Sequence, residues 1–507
     1  MNVPSPRALL LTAVVMANVL LVGAPASGAD EVDPRDVEQA VAGYLEESGA
    51  PGAAVAVTRG TRVLHTAGVG VDATGRTMTA DTPMRIASLS KSFTALAVMQ
   101  LVDRGLVGLD DPVVEHLPEF TLDDERVGDI TVRDLLNHSS GMADAASPDE
   151  YASGPTDLAA AVRRLRTASL VADPGTEWNY HNPNYHVAAR LVEVVSGQDF
   201  TSYLDDRVFG PAGMTSSTST ATTNAPVPGL TDGHTFAFGQ AVPVDGPDYF
   251  TAGAGGVVSS AEDMARWLVL HTNGGRTASG RQVVSTAAME TMHRAQEPDG
   301  GTYGLGWYHT PADDNRAEHI SHSGGAAAFS GYQVLYPTAG DDYGIVVLLN
   351  SGASLTGPTP TDPAQEIADL LGVDSPPADD PSRAVVVDVT TILAGLLVAA
   401  AGWCGLRRAP IWARRRRGRS RWWSAVRLTP YLLGLGLVLA VPRLQLLLLQ
   451  RDAPWPVLFY VAPVVVVVLA VLAMVCTVVP VARLTHLARA RLASTHEPSP
   501  DAPTPRS

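Results

Sequence analysis

The chain has 507 residues, and its formal charge of −16 at pH 7 is divided unequally along the sequence. Residues 30–383 carry 48 acidic and 20 basic side chains, whereas residues 384–507 carry 15 arginines and 4 acidic side chains. The length excludes a single ordinary domain, and the acidic charge of the first part argues against nucleic-acid binding. Both cysteines, Cys404 and Cys476, lie in the apolar second part, so the acidic part has no disulfide and no thiol nucleophile.

The first 29 residues are predicted to be a secretory signal peptide. Arg7 supplies a positive start, residues 8–22 form a short apolar core, and small residues before Asp30 suit a cleavage site. An uncleaved anchor helix is the alternative. We favour cleavage, because the apolar run is shorter than the ~20 residues that a membrane span needs.

The stretch Ser88-Leu89-Ser90-Lys91 contains the only lysine of the chain, since the other 35 basic residues are arginines. Residues 88–104 predict a buried helix, because apolar side chains occur on several of its sides. Ser88 and Lys91 share one face of this helix, and Ser88 would lie at its N-terminus, where backbone N–H groups favour negative charge. This arrangement is typical of a serine nucleophile activated by a base, although a serine at this spacing also arises by chance.

Polar side chains are concentrated in residues 178–185, just before an amphipathic helix. A tyrosine beside a cation, such as Tyr180, can become a phenolate base, and Asn182 can hold a substrate amide. A second candidate stretch, residues 319–325, lies among predicted strands and has glycines that allow a ligand to approach the backbone. His138 could also be catalytic, but a histidine at a helix end more often packs or hydrogen-bonds a loop, and we favour that interpretation.

Three apolar stretches predict a membrane domain after a linker at residues 373–388. Nine arginines and no acidic residue lie between the first two stretches, which indicates that this loop is cytoplasmic. The topology then places residues 30–383, with the hydrolase-like domain at residues 30–372, outside the cytoplasm and a disordered tail, residues 482–507, inside. The predicted transmembrane helices span residues 389–406, 428–449 and 457–481.

Three motifs in this order, Ser88-Leu89-Ser90-Lys91, Tyr180-His181-Asn182 and His322-Ser323-Gly324, resemble those of the serine β-lactamase and penicillin-binding-protein superfamily. The likeness covers about residues 33–372 and is greatest to the class C-like branch, which includes D-alanyl-D-alanine carboxypeptidases, D-amino-acid peptidases and esterases. It implies an α+β fold in which an antiparallel sheet is flanked by helices, with a helical lobe beside it and the active site between them. It implies neither a metal nor another cofactor.

The resemblance also implies a role for each motif. Ser88 would be the acylated nucleophile, and Lys91 and Tyr180 would share the proton transfers. Substrate binding would fall to Asn182, His322, Ser323 and Gly324, and the oxyanion hole to the backbone N–H groups of Ser88 and Gly325. β-Lactamases of this branch usually have a lysine where this chain has His322, so we expect esters or peptides rather than efficient β-lactam turnover. We also expect activity to fall at mildly acidic pH through His322.

The sequence therefore predicts a multi-pass protein of the cell membrane. Its extracytoplasmic domain would be a serine hydrolase that cleaves an amide or ester, in a small molecule, D-amino-acid derivative, peptide or β-lactam. The lipid bilayer is the expected partner, and no nucleic acid is expected. One alternative is a penicillin-sensing receptor that is acylated without efficient turnover, although the chain has no His-Glu-x-x-His motif of a metalloprotease partner. A catalytically dead scaffold is disfavoured by the intact motifs, and an α/β-hydrolase by the lack of Gly-x-Ser-x-Gly.

Overall fold

The computed structural model describes residues 32–147, 151, 154–298, 300–313, 316–337, 342–375, 382–449 and 451–495. The predicted signal peptide and residues 496–507 of the predicted tail lie outside the described residues.

The strands are β1 Gly52–Arg59, β2 Arg62–Gly70, β3 Met84–Arg85, β4 Thr218–Ser219, β5 Gly233–Ala237, β6 Gln240–Val244, β7 Val257–Ser259, β8 Tyr308–Thr310, β9 His319–Gly325, β10 Ser330–Tyr336 and β11 Tyr343–Leu349.

The helices of the globular part are α1 Pro34–Ser48, α2 Ser90–Asp103, α3 Val113–His116, α4 Val132–Leu136, α5 Leu158–Arg164, α6 Pro183–Ser196, α7 Phe200–Leu204, α8 Gly210–Ala212, α9 Ala261–Thr272, α10 Thr286–His293 and α11 Thr361–Leu370. The C-terminal helices are α12 Ser382–Arg407, α13 Ala409–Arg414, α14 Arg421–Val426, α15 Thr429–Leu449, α16 Trp455–Val461 and α17 Pro463–Thr495. Short 3₁₀ turns occur at Ala87–Leu89, Glu125–Asp129, Asp144–Ala146 and Leu165–Thr167, and a π turn at Asp205–Phe209.

A six-stranded antiparallel sheet, in the order β2-β1-β11-β10-β9-β8, forms the middle layer of the globular domain. Successive side chains of a strand point to opposite faces, and β1 is buried on both. Its Val55 and Val57 belong to one apolar core, whereas Ala54 and Ala56 belong to the other. The sheet therefore has helices on both sides, as the predicted α+β fold requires.

Helices α1 and α11 cover one face of this sheet, and their apolar residues share its core. Helix α1 begins after Asp33, whose side chain accepts the Arg35 N–H, and ends at Gly49, which has a φ of 72°. A side-chain acceptor is a usual start signal of a helix, and a glycine in the left-handed conformation is a usual stop signal. The opposite face carries α2, α9 and the helical lobe, where Phe93 stacks on Trp267 with ring centroids 3.8 Å apart.

The C-terminal part contains three helices that are long and apolar enough to cross a membrane, within α12, α15 and α17. Helix α12 approaches α17 closely along a row of glycines, Gly395, Gly402 and Gly405. A Cβ atom at Gly402 would lie 2.4 Å from a Val475 side-chain carbon. Small residues of this kind let two apolar helices pack closely in a bilayer.

The structure corrects three predicted boundaries in this part of the chain. Helix α12 begins at Ser382, inside the predicted linker 373–388. The predicted third span, 457–481, is interrupted at Ala462, because Pro463 disfavours helical geometry in the residue before it. Helix α17 then continues to Thr495, so residues 482–495 of the predicted disordered tail are helical.

The short helix α16 lies against the globular domain. The Thr235 hydroxyl donates a hydrogen bond to the Tyr460 carbonyl at 2.7 Å, and the Leu355 N–H donates to the Val461 carbonyl at 2.8 Å. The segment between the second and third apolar helices is thus docked on the globular domain.

Candidate active site

Ser88 lies where a 3₁₀ turn, Ala87–Leu89, leads into the buried helix α2. Ala87 has a φ of 49°, a left-handed conformation that is uncommon for a residue with a side chain. Such backbone strain is concentrated at functional sites. The predicted helix is confirmed except that its first turn, which carries Ser88, is a 3₁₀ turn.

Lys91 is fully buried and points at Ser88. Its Nζ atom donates hydrogen bonds to Ser88 Oγ at 3.2 Å, to Asn182 Oδ1 at 2.7 Å and to the Ala254 carbonyl at 3.0 Å. An ammonium group has three N–H donors and no acceptor, so these three acceptors suit a protonated lysine. The site therefore holds a buried cation next to the Ser88 hydroxyl.

Tyr180 lies beside this cation, with the centroid of its ring 4.8 Å from Lys91 Nζ. It precedes α6, whose first helical residue, Pro183, needs no N–H partner. Asn182 is the residue just before that helix, and its Oδ1 atom accepts a hydrogen bond from Lys91 instead of capping the helix. The two motifs, at Ser88 and at residues 180–182, begin 92 residues apart in the sequence and thus meet around one amine.

His322 is buried on β9, with 2% of its surface exposed. Its Nδ1 atom donates to the Ser323 carbonyl at 2.6 Å, so Nε2 is the acceptor for the Tyr303 hydroxyl at 3.1 Å. Burial and then the charge of Lys91 lower the pKa of His322 to about 3. His322 is therefore neutral at mildly acidic pH, and the expected loss of activity through its protonation is not supported.

Gly324 brings β9 against the segment that carries Ser88. A Cβ atom at this position would lie 2.4 Å from the Ile86 carbonyl oxygen, a distance that real side chains do not adopt. This close approach puts Ser88 and Gly325 on the wall of one cavity. The two backbone N–H groups expected to form the oxyanion hole belong to these two residues.

A cavity of about 530 Å³ opens above Ser88. The structure places five predicted site residues on its wall. Lys91 is connected to them by its hydrogen bond to Ser88, and Asn182 by its hydrogen bond from Lys91. The lining residues are Ser88, Ala143, Trp178, Asn179, Tyr180, Tyr308, His322, Ser323, Gly325 and Arg451.

His138 supports the site from behind. It is fully buried with a φ of 64°, and its Nδ1 atom accepts the N–H of His181 at 3.2 Å. Its ring lies 4.4 Å from that of Tyr180, measured between centroids. Burial, followed by the charge of Lys91, holds its pKa well below the usual value for histidine. Packing and hydrogen bonding, the interpretation that we favoured from the sequence, is what the structure shows.

Arg451, like Ala143 and Tyr308, lines the cavity although the sequence did not reveal it as part of the site. It follows α15, between two apolar helices, and its Nη1 atom donates to the Tyr180 carbonyl at 2.7 Å. The sequence does place an Arg-Asp pair in a short loop on the predicted outer side of the membrane. Only the folded chain shows that this loop lies against residues 144 and 180, about 300 residues earlier.

Comparison with known proteins identifies the family of the chain. The Beta-lactamase family profile matches residues 37–370. Protein flp of Staphylococcus aureus (strain COL) is 28% identical over 313 residues, which cover 60% of this chain and 61% of flp. Penicillin-binding protein 4 of Amycolatopsis lactamdurans is 30% identical over 317 residues, which cover 60% of this chain and 82% of that protein. The chain thus spans about three fifths of the length of flp.

Solved structures show the same fold. The octameric penicillin-binding protein homologue from Pyrococcus abyssi has a TM-score of 0.55 and 25% identity, over 68% of this chain and 78% of that one. EstCE1, a hydrolase with promiscuous acyltransferase activity, has a TM-score of 0.56 and 21% identity, over 66% of this chain and 97% of that one. At that identity EstCE1 supports the fold alone. Because the family profile covers well over half of the sequence, the chain belongs to the beta-lactamase family of serine hydrolases and penicillin-binding proteins.

Proposed function

We propose that the protein is a membrane-anchored, extracytoplasmic serine hydrolase that cleaves an amide or ester through an acyl-enzyme on Ser88. The observation that carries this proposal is the distance of 3.2 Å between Lys91 Nζ and Ser88 Oγ. The lysine is fully buried and is held by two further acceptors, so its position next to the nucleophile is set by the surrounding fold.

In the proposed first step, Ser88 Oγ attacks the substrate carbonyl carbon while the hydroxyl proton passes to Tyr180, acting as a phenolate beside Lys91. The carbonyl electron pair moves onto oxygen, where the N–H groups of Ser88 and Gly325 stabilise the oxyanion. Collapse of this intermediate breaks the amide or ester bond, and the leaving group takes the proton from Tyr180. Water then attacks the acyl-enzyme in the same way, which releases the acid and restores Ser88.

The proposed substrates are esters or D-amino-acid amides rather than cephalosporins. A neutral His322 on the cavity wall supplies no charge at the position where the related β-lactamases have a lysine. Because one relative is named penicillin-binding protein 4, covalent reaction with β-lactams should also be tested.

The proposed topology has the globular domain outside and the C-terminus in the cytoplasm. Nine arginines in residues 407–427, at the end of the first apolar helix and before the second, support a cytoplasmic loop there. The hydrogen bonds of Arg451 and Tyr460 with the globular domain support an outer location for the segment between the second and third. Reporter fusions after Arg427 and after Arg491 are expected to read as cytoplasmic, and an external signal from the second fusion would contradict this topology.

Intact-mass measurement tests the acyl-enzyme. The full-length protein in detergent is incubated with benzylpenicillin or with an acyl thioester, and one covalent adduct is expected. Ser88→Ala should form none. Ser90→Ala is the matched control, because Ser90 is buried two residues away and accepts the Val257 N–H at 3.0 Å instead of facing the cavity. An adduct on folded Ser88→Ala, or neither an adduct nor hydrolysis with the parent, would contradict the proposal.

A receptor that is acylated without efficient turnover is the second candidate. The contact between Arg451 and Tyr180 favours it, because this contact joins the site to the membrane helices and could transmit acylation to them. The lifetime of the adduct separates the two functions. A hydrolase loses it between successive turnovers, whereas a receptor keeps it after the free probe is removed.

A further inference from the structure

The loop at residues 451–454, between α15 and α16, forms one edge of the cavity above Ser88. We propose that Arg451 in this loop binds a carboxylate on the leaving group of the substrate, so that a residue from the membrane domain determines substrate specificity. This inference rests on the proposed hydrolase function and deepens it.

The position of Arg451 supports this role. Its guanidinium carbon lies 5.0 Å from the centroid of the Tyr180 ring, and its side chain is 33% exposed at the cavity. Tyr180 is the group proposed to protonate the leaving group. The leaving group therefore departs on the side of the cavity where Arg451 lies. A guanidinium presents its N–H donors in a planar fork that matches a carboxylate.

Asp144 holds this loop in place. One of its oxygens accepts the Asp452 N–H at 2.9 Å and lies 3.7 Å from Arg451 Nε, and the other lies 2.7 Å from Nδ1 of His181. The Asp144 side chain is 3% exposed. Burial alone would raise the pKa of Asp144, but the hydrogen bond with His181 and the charge of Arg451 outweigh it and lower the pKa. The loop is thus attached to a buried, fully ionised carboxylate.

The charges around the cavity leave Arg451 as the group suited to an anion. Among the described residues that line the cavity, Arg451 alone has a permanent positive charge. His322 is neutral, and Lys91 lies below Ser88 with three acceptors. Residues 30–383 have an excess of 28 acidic side chains, which opposes the approach of a free carboxylate. A cation at the mouth offsets that repulsion where the substrate enters.

A matched pair of thioesters tests the inference on the full-length protein in detergent. One has a leaving thiol that ends in a carboxylate, and the other has the same thiol with the carboxylate methylated. Arg451→Gln should lower kcat/KM for the carboxylate thioester at least about tenfold, as expected for the loss of one charge-assisted interaction. Its kcat/KM for the methylated thioester should change less than about threefold. Arg451→Lys should keep part of the preference, because it retains the charge without the fork.

Arg443→Gln is the matched control, because Arg443 is an exposed arginine of α15 eight residues before Arg451. It should leave the ratio of the two kcat/KM values unchanged. Equal hydrolysis of both thioesters by the parent would overturn the inference, whether or not Arg451→Gln folds. Equal losses on both thioesters in Arg451→Gln would also overturn it and indicate a structural role. If the parent hydrolyses neither thioester and forms no Ser88 adduct, the proposed hydrolase function fails as well.

Discussion

Two positively charged residues lie near Ser88, one beneath the cavity and one on its wall, and their surroundings differ. Lys91, at its floor, is fully buried and is held by Ser88, Asn182 and the Ala254 carbonyl. Arg451, at its rim, is 33% exposed and is held by the Tyr180 carbonyl and the Asp144 carboxylate. The floor is built within the core of the globular domain, whereas the rim comes from a loop between two apolar helices.

The difference in surroundings suggests different roles for the two residues: Lys91 in the reaction itself, and Arg451 in the choice of substrate. In the proposed mechanism, a desolvated cation beside Ser88 acts on every substrate, since each one would pass through the same acyl-enzyme. A cation at the mouth is partly screened by water and acts on the substrates that carry an opposite charge. Changes at the floor should therefore affect all turnover, and changes at the rim should affect docking of the loop and substrate preference.

The largest effect is expected at the floor, from Lys91→Arg. The change keeps the positive charge beside Tyr180, but a guanidinium is bulkier and presents a planar fork in place of a single nitrogen, so it should not hold Ser88 and Tyr180 in the geometry that proton transfer needs. Loss of general acid–base assistance lowers the rate about 10²–10⁴-fold. The rate of Ser88 acylation in a single turnover measures this loss.

A thermal melt provides the control for this variant. Overpacking of the buried site costs about 1–3 kcal/mol, so the protein should remain folded. Ser88→Ala sets the background rate. A folded Lys91→Arg protein that acylates within about threefold of the parent, far less than the expected loss of proton-transfer assistance, would show that the lysine is structural.

A smaller effect is expected at the rim, from Asp144→Asn. It removes the buried negative charge that accepts the Asp452 N–H, and a hydrogen bond to a charged group contributes roughly 1.5–3 kcal/mol. The folded-state pKa of Asp144 is lowered, so this contribution is present above the unfolded pKa of about 4 and is lost as the pH falls through the folded value. In thermal melts, the difference in melting temperature between the parent and the variant should be smaller at pH 3 than at pH 7.

Asp173→Asn is the matched control for this prediction. Asp173 also pairs with an arginine, Arg126, but its side chain is 70% exposed. An exposed pair contributes at most about 1 kcal/mol. If both aspartate variants lower the melting temperature by the same amount, the loop is not held by Asp144.

The smallest effect concerns the wall between floor and rim, where His322 is buried and neutral. Its pKa is about 3 in the folded state and about 6.5 when unfolded, so the unfolded chain alone binds a proton between these values. The free energy of unfolding therefore falls as the pH falls, by about 1.4 kcal/mol per pH unit in this range. Between pH 7 and pH 5, the free energy of unfolding should fall by about 2 kcal/mol less in His322→Asn than in the parent.

The pH dependence of kcat/KM provides a second measurement on His322→Asn. Because His322 stays neutral in mild acid, the acid-side inflection should occur at the same pH in the variant and the parent. An inflection that moves in His322→Asn would contradict this assignment and restore the coupling that we expected from the sequence.

The floor of the site could be predicted from the sequence, because its parts are local motifs. Ser88 and Lys91 are one helical turn apart, and Tyr180 and Asn182 precede a capped amphipathic helix. The α+β fold is implied by the family resemblance that these motifs carry, and the three apolar helices follow from the length of apolar runs. These features depend on residues that are close together in the sequence, so the sequence alone can predict them.

The tertiary structure alone decided the features that depend on distant contacts. The charge state of His322 depends on burial and on Lys91, which is 231 residues earlier. The place of Arg451 depends on Asp144 and Tyr180, which belong to a different part of the chain. The docking of Tyr460 and Val461 depends on Thr235 and Leu355 of the globular domain. Desolvation and long-range hydrogen bonds arise only when distant segments meet, so no local pattern encodes them.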